Sequence, residues 1–286
     1  MENYAYIGEL LSAIFYLIVG ARLLKLASQT RQVPERLLGA LFLFSGASYL
    51  AYVCPMIFTE EWLWTPLNFL GRVLYLPIPA LLAIFTRQVF RPQCRWAAWL
   101  VWISIVLPVA GVGSSVLAGD WEGYSLGNPG FWAEWGGYTF PFGWAGVEAF
   151  IQYAKARRRR KHGLCDPVVC NRYLLWGIYA VLAVIASLLI LPMYAHYERT
   201  GEFAAIWDRL LGAAEIASIA VIWVVFFAPA FYQRWVNGAS PAAAAETRSL
   251  RSRRLQSLPA LGNLRGASRN RVPTHSSDVR PLRANR

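Results

Sequence analysis

Apolar residues in this chain come in long unbroken runs, neither alternating as in a half-buried strand nor confined to one stripe of a helix. Seven runs are long enough to cross a bilayer: roughly 5–26, 36–56, 67–88, 96–117, 139–156, 171–193 and 208–232. Each is close to the ~20 residues that a hydrocarbon core requires. Lipid leaves no partner for an unpaired peptide group, so each run must be helical. The pattern predicts an all-α integral membrane bundle of seven transmembrane helices. The fifth run, FPFGWAGVEAFIQYA, is the least apolar and contains Glu148 and Gln152. The first follows MENYAYIGEL, which has no basic n-region, so it reads as a span and not as a cleaved leader.

The polar connections alternate in charge. One set carries Arg22, Lys25, Arg31 and Arg36, then Arg87, Arg91 and Arg95, then Lys155, Arg157, Arg158, Arg159, Arg160, Lys161 and Arg172. The other carries Glu60 and Glu61, then Asp120, Glu122 and Glu134, then a mixed segment around Glu198, Arg199, Glu202 and Asp208. Basic loops stay on the cytoplasmic side. The expected topology therefore has the N-terminus outside and the C-terminus in the cytoplasm, in a plasma or inner membrane.

Composition agrees with this. The chain is 56% hydrophobic with a mean hydropathy of +0.35 and has 13 Trp, many near run ends as in interfacial belts. The net charge of +12 is unevenly placed, since eleven of the 28 basic residues lie from Arg234 onward. Two domains are expected: the transmembrane part, 1–236, and a basic cytoplasmic tail, 237–286, rich in Ser, Ala, Arg and Pro and read as disordered. Only Cys54 of the four cysteines falls near the outside, so no structural disulfide is expected.

The longest outer connection is 118–138, AGDWEGYSLGNPGFWAEWGGY. Its aromatics, among them Trp121, Trp132 and Trp135, form either an interfacial girdle or a lid over an outward-facing cavity. On the inner side, Arg157 to Lys161 form a cluster suited to anionic lipid headgroups and available to a cytoplasmic protein. A role for the basic tail on nucleic acid is the weaker alternative, because such residues bind membranes just as well.

Charges inside the runs are the candidate chemistry. Arg72, Glu148 and Glu215 lie within apolar segments and Glu9 near the outer end of the first. Such groups are costly in lipid and point into a bundle or a wet cavity. Helical spacing gives each a polar face: Asn68, Arg72 and Tyr75; Trp144, Glu148 and Gln152; Asp208, Glu215 and Ser218; Tyr6, Glu9, Ser12 and Tyr16. Counted from the outer edges of the runs, the three deeper charges fall between roughly 7 and 14 Å. One shared outward-facing polar pocket is the expected arrangement. Within it, Arg72 pairs with Glu148 or Glu215 to fix the packing, or the group binds a ligand, or it lines an ion or proton path. Pro77 and Pro79 are expected to open or kink the third span below Arg72.

Enzyme signatures are missing. The three histidines are spread over the tail, the inside and the outside, and the segment His162-x-x-Cys165-Asp166-x-x-x-Cys170 does not have a zinc pattern. No metal site or cofactor is assigned, and no HExxH, GxSxG or GxxxxGK motif is present. The seven-span, N-outside plan over 5–232 resembles the broad class of seven-helix receptors, including rhodopsins and the input modules of bacterial sensor kinases. That resemblance is topological and transfers no site residue. The seventh run, DRLLGAAEIASIAVIWVVFFAPAFYQ, lacks the lysine with which microbial rhodopsins hold retinal, and also the Asn-Pro-x-x-Tyr of animal receptors. The leading reading is a receptor or sensor-like membrane protein that takes a small molecule from outside and signals to a cytoplasmic partner. The alternatives are a small-solute or ion transporter, an accessory protein with a buried ion-pair network, and last a membrane enzyme.

Overall fold

The computed structural model describes residues 3–57, 61–121, 125–160, 162, 164–227, 230 and 232. The predicted tail, 237–286, and Lys161 lie outside the described residues. The protein is an all-α bundle. Its helices are α1 (Asn3–Thr30), α2 (Val33–Ile57), α3 (Trp64–Tyr75, after a 3₁₀ turn at Glu61–Leu63), α4 (Pro77–Phe90), α5 (Arg95–Leu117), α6 (Pro129–Arg160), α7 (Pro167–Thr200) and α8 (Ala205–Phe227). Leu76, between α3 and α4, keeps helical angles of φ −52° and ψ −40°. The two helices therefore run on as one rod, Trp64–Phe90. The discontinuity has a simple cause. Pro77 and Pro79 have no N–H to give to the ladder, and the turn tightens so that Leu76 N–H reaches Val73 O at 3.3 Å.

Among the described residues, six segments are long and apolar enough to cross a membrane: Gly8–Thr30, Val33–Cys54, Trp64–Phe90, Arg95–Leu117, Pro167–Thr200 and Ala205–Phe227. The seventh rod, α6, has 32 residues but is less apolar. The surface supports a multi-pass membrane protein independently of length. On α5, Trp99, Trp102, Val106 and Val109 are exposed, Trp99 by 71%, at helical spacing along one side. Leu11, Ile14 and Ile18 do the same on α1. Inside, by contrast, lie Ser12, Ser48, Asn68, Arg72, Thr86 and Glu148. Apolar stripes outside and polar groups inside suit lipid as the surrounding solvent. Several buried serines return their hydroxyls to the carbonyl one turn back, as Ser45 does to Leu41 O at 2.9 Å and Ser218 to Ala214 O at 2.8 Å.

Successive rods pack antiparallel, and α8 comes back alongside α1, with Phe15 against Trp223 at 6.0 Å between ring centres. The α3–α4 rod sits between α2 and α6. The α5–α6 approach is close enough to exclude side chains. A Cβ at Gly111 would meet Glu134 N at 2.5 Å, and one at Gly137 would meet Pro108 Cδ at 2.5 Å. The connections α2–α3, α5–α6 and α7–α8 share one end, which carries Asp120, Glu198 and Glu202. The other end carries Arg31, Arg91, Arg95 and the last turn of α6, Arg157–Arg160. These are called the acidic and the basic end below.

Two boundaries differ from the sequence expectation. The segment 129–138, expected as outer loop, is the first ten residues of α6. Asn128 caps it, its side-chain oxygen accepting Gly130 N–H at 2.9 Å, with Pro129 next at the first helical position. Helix α7 extends to Thr200 because the chain meets no stop before Gly201, which takes the left-handed conformation at φ 76°.

Candidate functional site

The interior charges occupy three separate places along the bundle. At the acidic end, Arg72 on α3 is 3% exposed and grips Glu134 on α6 with two bonds, Nε to Oε1 at 3.3 Å and Nη2 to Oε2 at 2.5 Å. Its remaining nitrogen, Nη1, donates to the carbonyls of Asp120 at 3.1 Å and Trp121 at 2.8 Å. A fork-to-fork pair is the strong form of this contact. The guanidinium therefore closes the α5–α6 connection down onto α3, and the Trp121 ring completes the closure edge-on to Phe69 at 5.3 Å. Asn68 is buried one turn before Arg72.

Neither acid expected beside Arg72 is its partner. Glu148 lies fourteen residues beyond Glu134 on the same helix, about 21 Å along its axis. There it accepts Arg91 Nε at 2.8 Å, from the turn after α4 at the basic end. Arg91 lies over the ring of Trp96 at 5.8 Å, and Trp96 packs on buried Trp144 at 6.0 Å. The Glu148 hydrogen bond raises the Arg91 guanidinium further above its ordinary pKa. Among the described residues, the second Glu148 oxygen is buried with no hydrogen-bond partner, as is Trp144 Nε1. Gln152, the next turn of the same face, is half-buried.

Glu215 forms the third place, near the middle of the bundle. It is ten residues into α8, about 15 Å from that helix's start. Tyr49 on α2 donates its hydroxyl to Oε1 at 2.9 Å, while Oε2 is buried with no hydrogen-bond partner among the described residues. Tyr16 on α1 meets Tyr49 edge-on at 5.7 Å. Tyr75 on α3 lies within electrostatic reach of Glu215 and packs edge-on to Tyr138 of α6 at 4.6 Å. Glu9, half-buried on α1, also lies within electrostatic reach of Glu215 and of Asp208. Ser218, one turn further along α8, is buried on the same face.

The remaining predicted residues fall at the ends. Trp132 and Trp135 belong to α6. Trp132 Nε1 donates to Leu126 O at 2.8 Å and Trp135 Nε1 to Ser187 O at 2.8 Å on α7, while Trp121 and Trp132 keep large exposed faces. Arg157, Arg158, Arg159 and Arg160 are exposed on the last turn of α6, where positive charge complements the helix dipole.

Sequence reasoning passed over three groups that matter here. Glu134 was assigned to a loop, although Asn128-Pro129 is a helix-start signal five residues before it. Arg91 was counted only as a positive loop charge. Tyr49 gave no signal, since a tyrosine inside an apolar run does not reveal which helix it faces. Compared with protein families, curated proteins and solved structures, the chain matches none of them.

Proposed function

We propose that this chain is a seven-helix membrane receptor or sensor-like protein, with α6 as the seventh crossing and the acidic end outside. Its recognition group is the Glu215 carboxylate. One observation carries the reading: Glu215 is held by Tyr49 through one oxygen while the other is buried with no hydrogen-bond partner among the described residues, in a setting of tyrosines. A carboxylate beside aromatic rings suits a small cationic ligand, because both the charge and the ring faces attract it. Glu9 on α1 lies within electrostatic reach of the same carboxyl group. Arg72 is then a fastening and not a ligand contact, since Glu134 and two carbonyls already engage it. The basic end, with Arg157–Arg160, faces the cytoplasm, where it meets anionic headgroups and a signalling partner.

The test uses the full chain in nanodiscs and a panel of ammonium, methylated amines, choline and short polyamines. Wild type is expected to show a saturable rise in thermal stability with at least one of them. Glu215→Gln abolishes that rise and keeps the fold. If no amine acts on wild type, or if Glu215→Gln responds equally, the reading fails. Transport is the second reading, favoured by the same unpartnered oxygen at mid-bundle depth. Amine flux into proteoliposomes that depends on Glu215 would decide for it.

A further inference from the structure

A cavity of about 280 Å³ opens at the basic end, between α1, α2, α8 and the start of α7. Its wall is mainly apolar, with Leu23 and Leu38 facing Val225 and Phe226. Two guanidiniums stand on it: Arg22 from α1 and Arg172 from α7. Glu35 is also present, but its carboxylate accepts the Thr30 hydroxyl and so is engaged at the α1–α2 turn. The cavity thus combines an apolar trough with an excess of positive charge at one rim.

The position of the two arginines fits a membrane headgroup. Arg22 is eight residues from the end of α1, about 12 Å, and Arg172 is five residues into α7, about 8 Å. Side chains of this length reach back toward the interface from such depths. The Arg22 guanidinium lies over the ring of Phe227 at 4.3 Å. Stacking occupies the face of a guanidinium and leaves its N–H edge for an anion. Leu26 belongs to the lining and is also exposed on the outer surface of α1, so the cavity opens toward lipid. Its volume is near the lower limit of ligand pockets, roughly 300 Å³. That accommodates a phosphate and the upper part of one chain, not a whole lipid.

We propose that this cavity binds an acidic phospholipid of the leaflet at the basic end, with Arg22 and Arg172 on its phosphate and one acyl chain along the wall formed by α1, α2 and α8. The site is independent of Glu215 and of the amine reading.

The experiment is native mass spectrometry of the delipidated full chain in detergent, after addition of phosphatidylglycerol or phosphatidylcholine at equal mole fraction. One phosphatidylglycerol is expected to stay bound and phosphatidylcholine to be lost. In Arg22→Gln/Arg172→Gln retention falls about tenfold, as expected for losing charge-assisted contacts to phosphate. Arg22→Lys/Arg172→Lys keeps most of it, and Arg95→Gln, exposed at the same end on α5 and outside the cavity, keeps all of it. Excess inorganic phosphate leaves the lipid in place. The proposal is overturned by equal retention of phosphatidylcholine, by full retention in Arg22→Gln/Arg172→Gln, by an equal loss in Arg95→Gln, or by displacement with inorganic phosphate.

Discussion

Glu134 and Glu148 sit on one helix, about 21 Å apart, and each holds an arginine at the neighbouring α3–α4 rod: Arg72 within it, before the Pro77 discontinuity, and Arg91 just past its end. Two ion pairs thus join α6 to the α3–α4 rod, one near each end, and the ring pair Tyr75–Tyr138 lies between them. The discontinuity at Leu76 is bridged from outside its own rod, which keeps the two halves in register.

The two clamps are predicted to differ in strength. Arg72 is buried and Arg91 is 31% exposed. Removing one partner of a buried pair leaves an uncompensated charge and costs about 3–5 kcal/mol, whereas water screens an exposed pair. Glu134→Gln, which strands the buried Arg72, should therefore lower the unfolding temperature in nanodiscs far more than Glu148→Gln, which strands a partly exposed Arg91. A double-mutant cycle of Arg72→Met with Glu134→Met should recover a large part of the single-variant losses. Equal losses for the two glutamate variants would contradict this assignment.

The α5–α6 contact sets where Glu134 stands. Gly111→Ala drives a Cβ against Glu134 N and Gly130 O, and overpacking of this kind costs about 1–3 kcal/mol. Gly113→Ala, two residues away with nothing within 4 Å, should be neutral or slightly stabilising. Thermal unfolding of the pair checks it, and the prediction fails if both variants behave alike.

Tyr49→Phe removes the only hydrogen bond seen on Glu215 among the described residues. A buried acceptor left unsatisfied costs about 1–3 kcal/mol, so stability falls by that order. Under the proposed function, amine affinity falls as well, because the carboxylate is no longer oriented. An unchanged stability with unchanged binding would show that Tyr49 does not position Glu215.

Much of the bundle was legible because hydropathy marks length directly. The rods α1, α2, α5 and α8 are apolar over most of their length, and Pro77 and Pro79 mark the discontinuity in the third. Helix α6 was only partly legible. Its first ten residues mix Gly130, Gly136 and Gly137 with aromatics and Glu134, so hydropathy placed its start at 139 and not at 129. That error moved Glu148 toward the acidic end and removed Glu134 from the candidates for Arg72. The cap Asn128-Pro129 carried the missing information, and local hydrogen bonding, not hydrophobicity, decides a helix start. The Tyr49–Glu215 contact joins residues 166 apart in the chain, and no local pattern encodes such a pair.

The orientation has its own test. Single cysteines placed at Gly127 and at Gln93, in a chain whose four native cysteines are replaced by serine, should label from opposite sides of intact cells or vesicles. Gly127 should react with an impermeant maleimide from outside and Gln93 only after permeabilisation. The reverse pattern would invert the topology and put the acidic end in the cytoplasm.

If Glu215 receives the ligand, as proposed, binding must perturb its carboxyl group. Infrared difference spectroscopy, amine-bound minus amine-free, reads that carboxyl group directly. Wild type is predicted to show a carboxyl band change on adding the amine that stabilises it, and Glu215→Gln to show none. A band change that persists undiminished in Glu215→Gln would contradict the account.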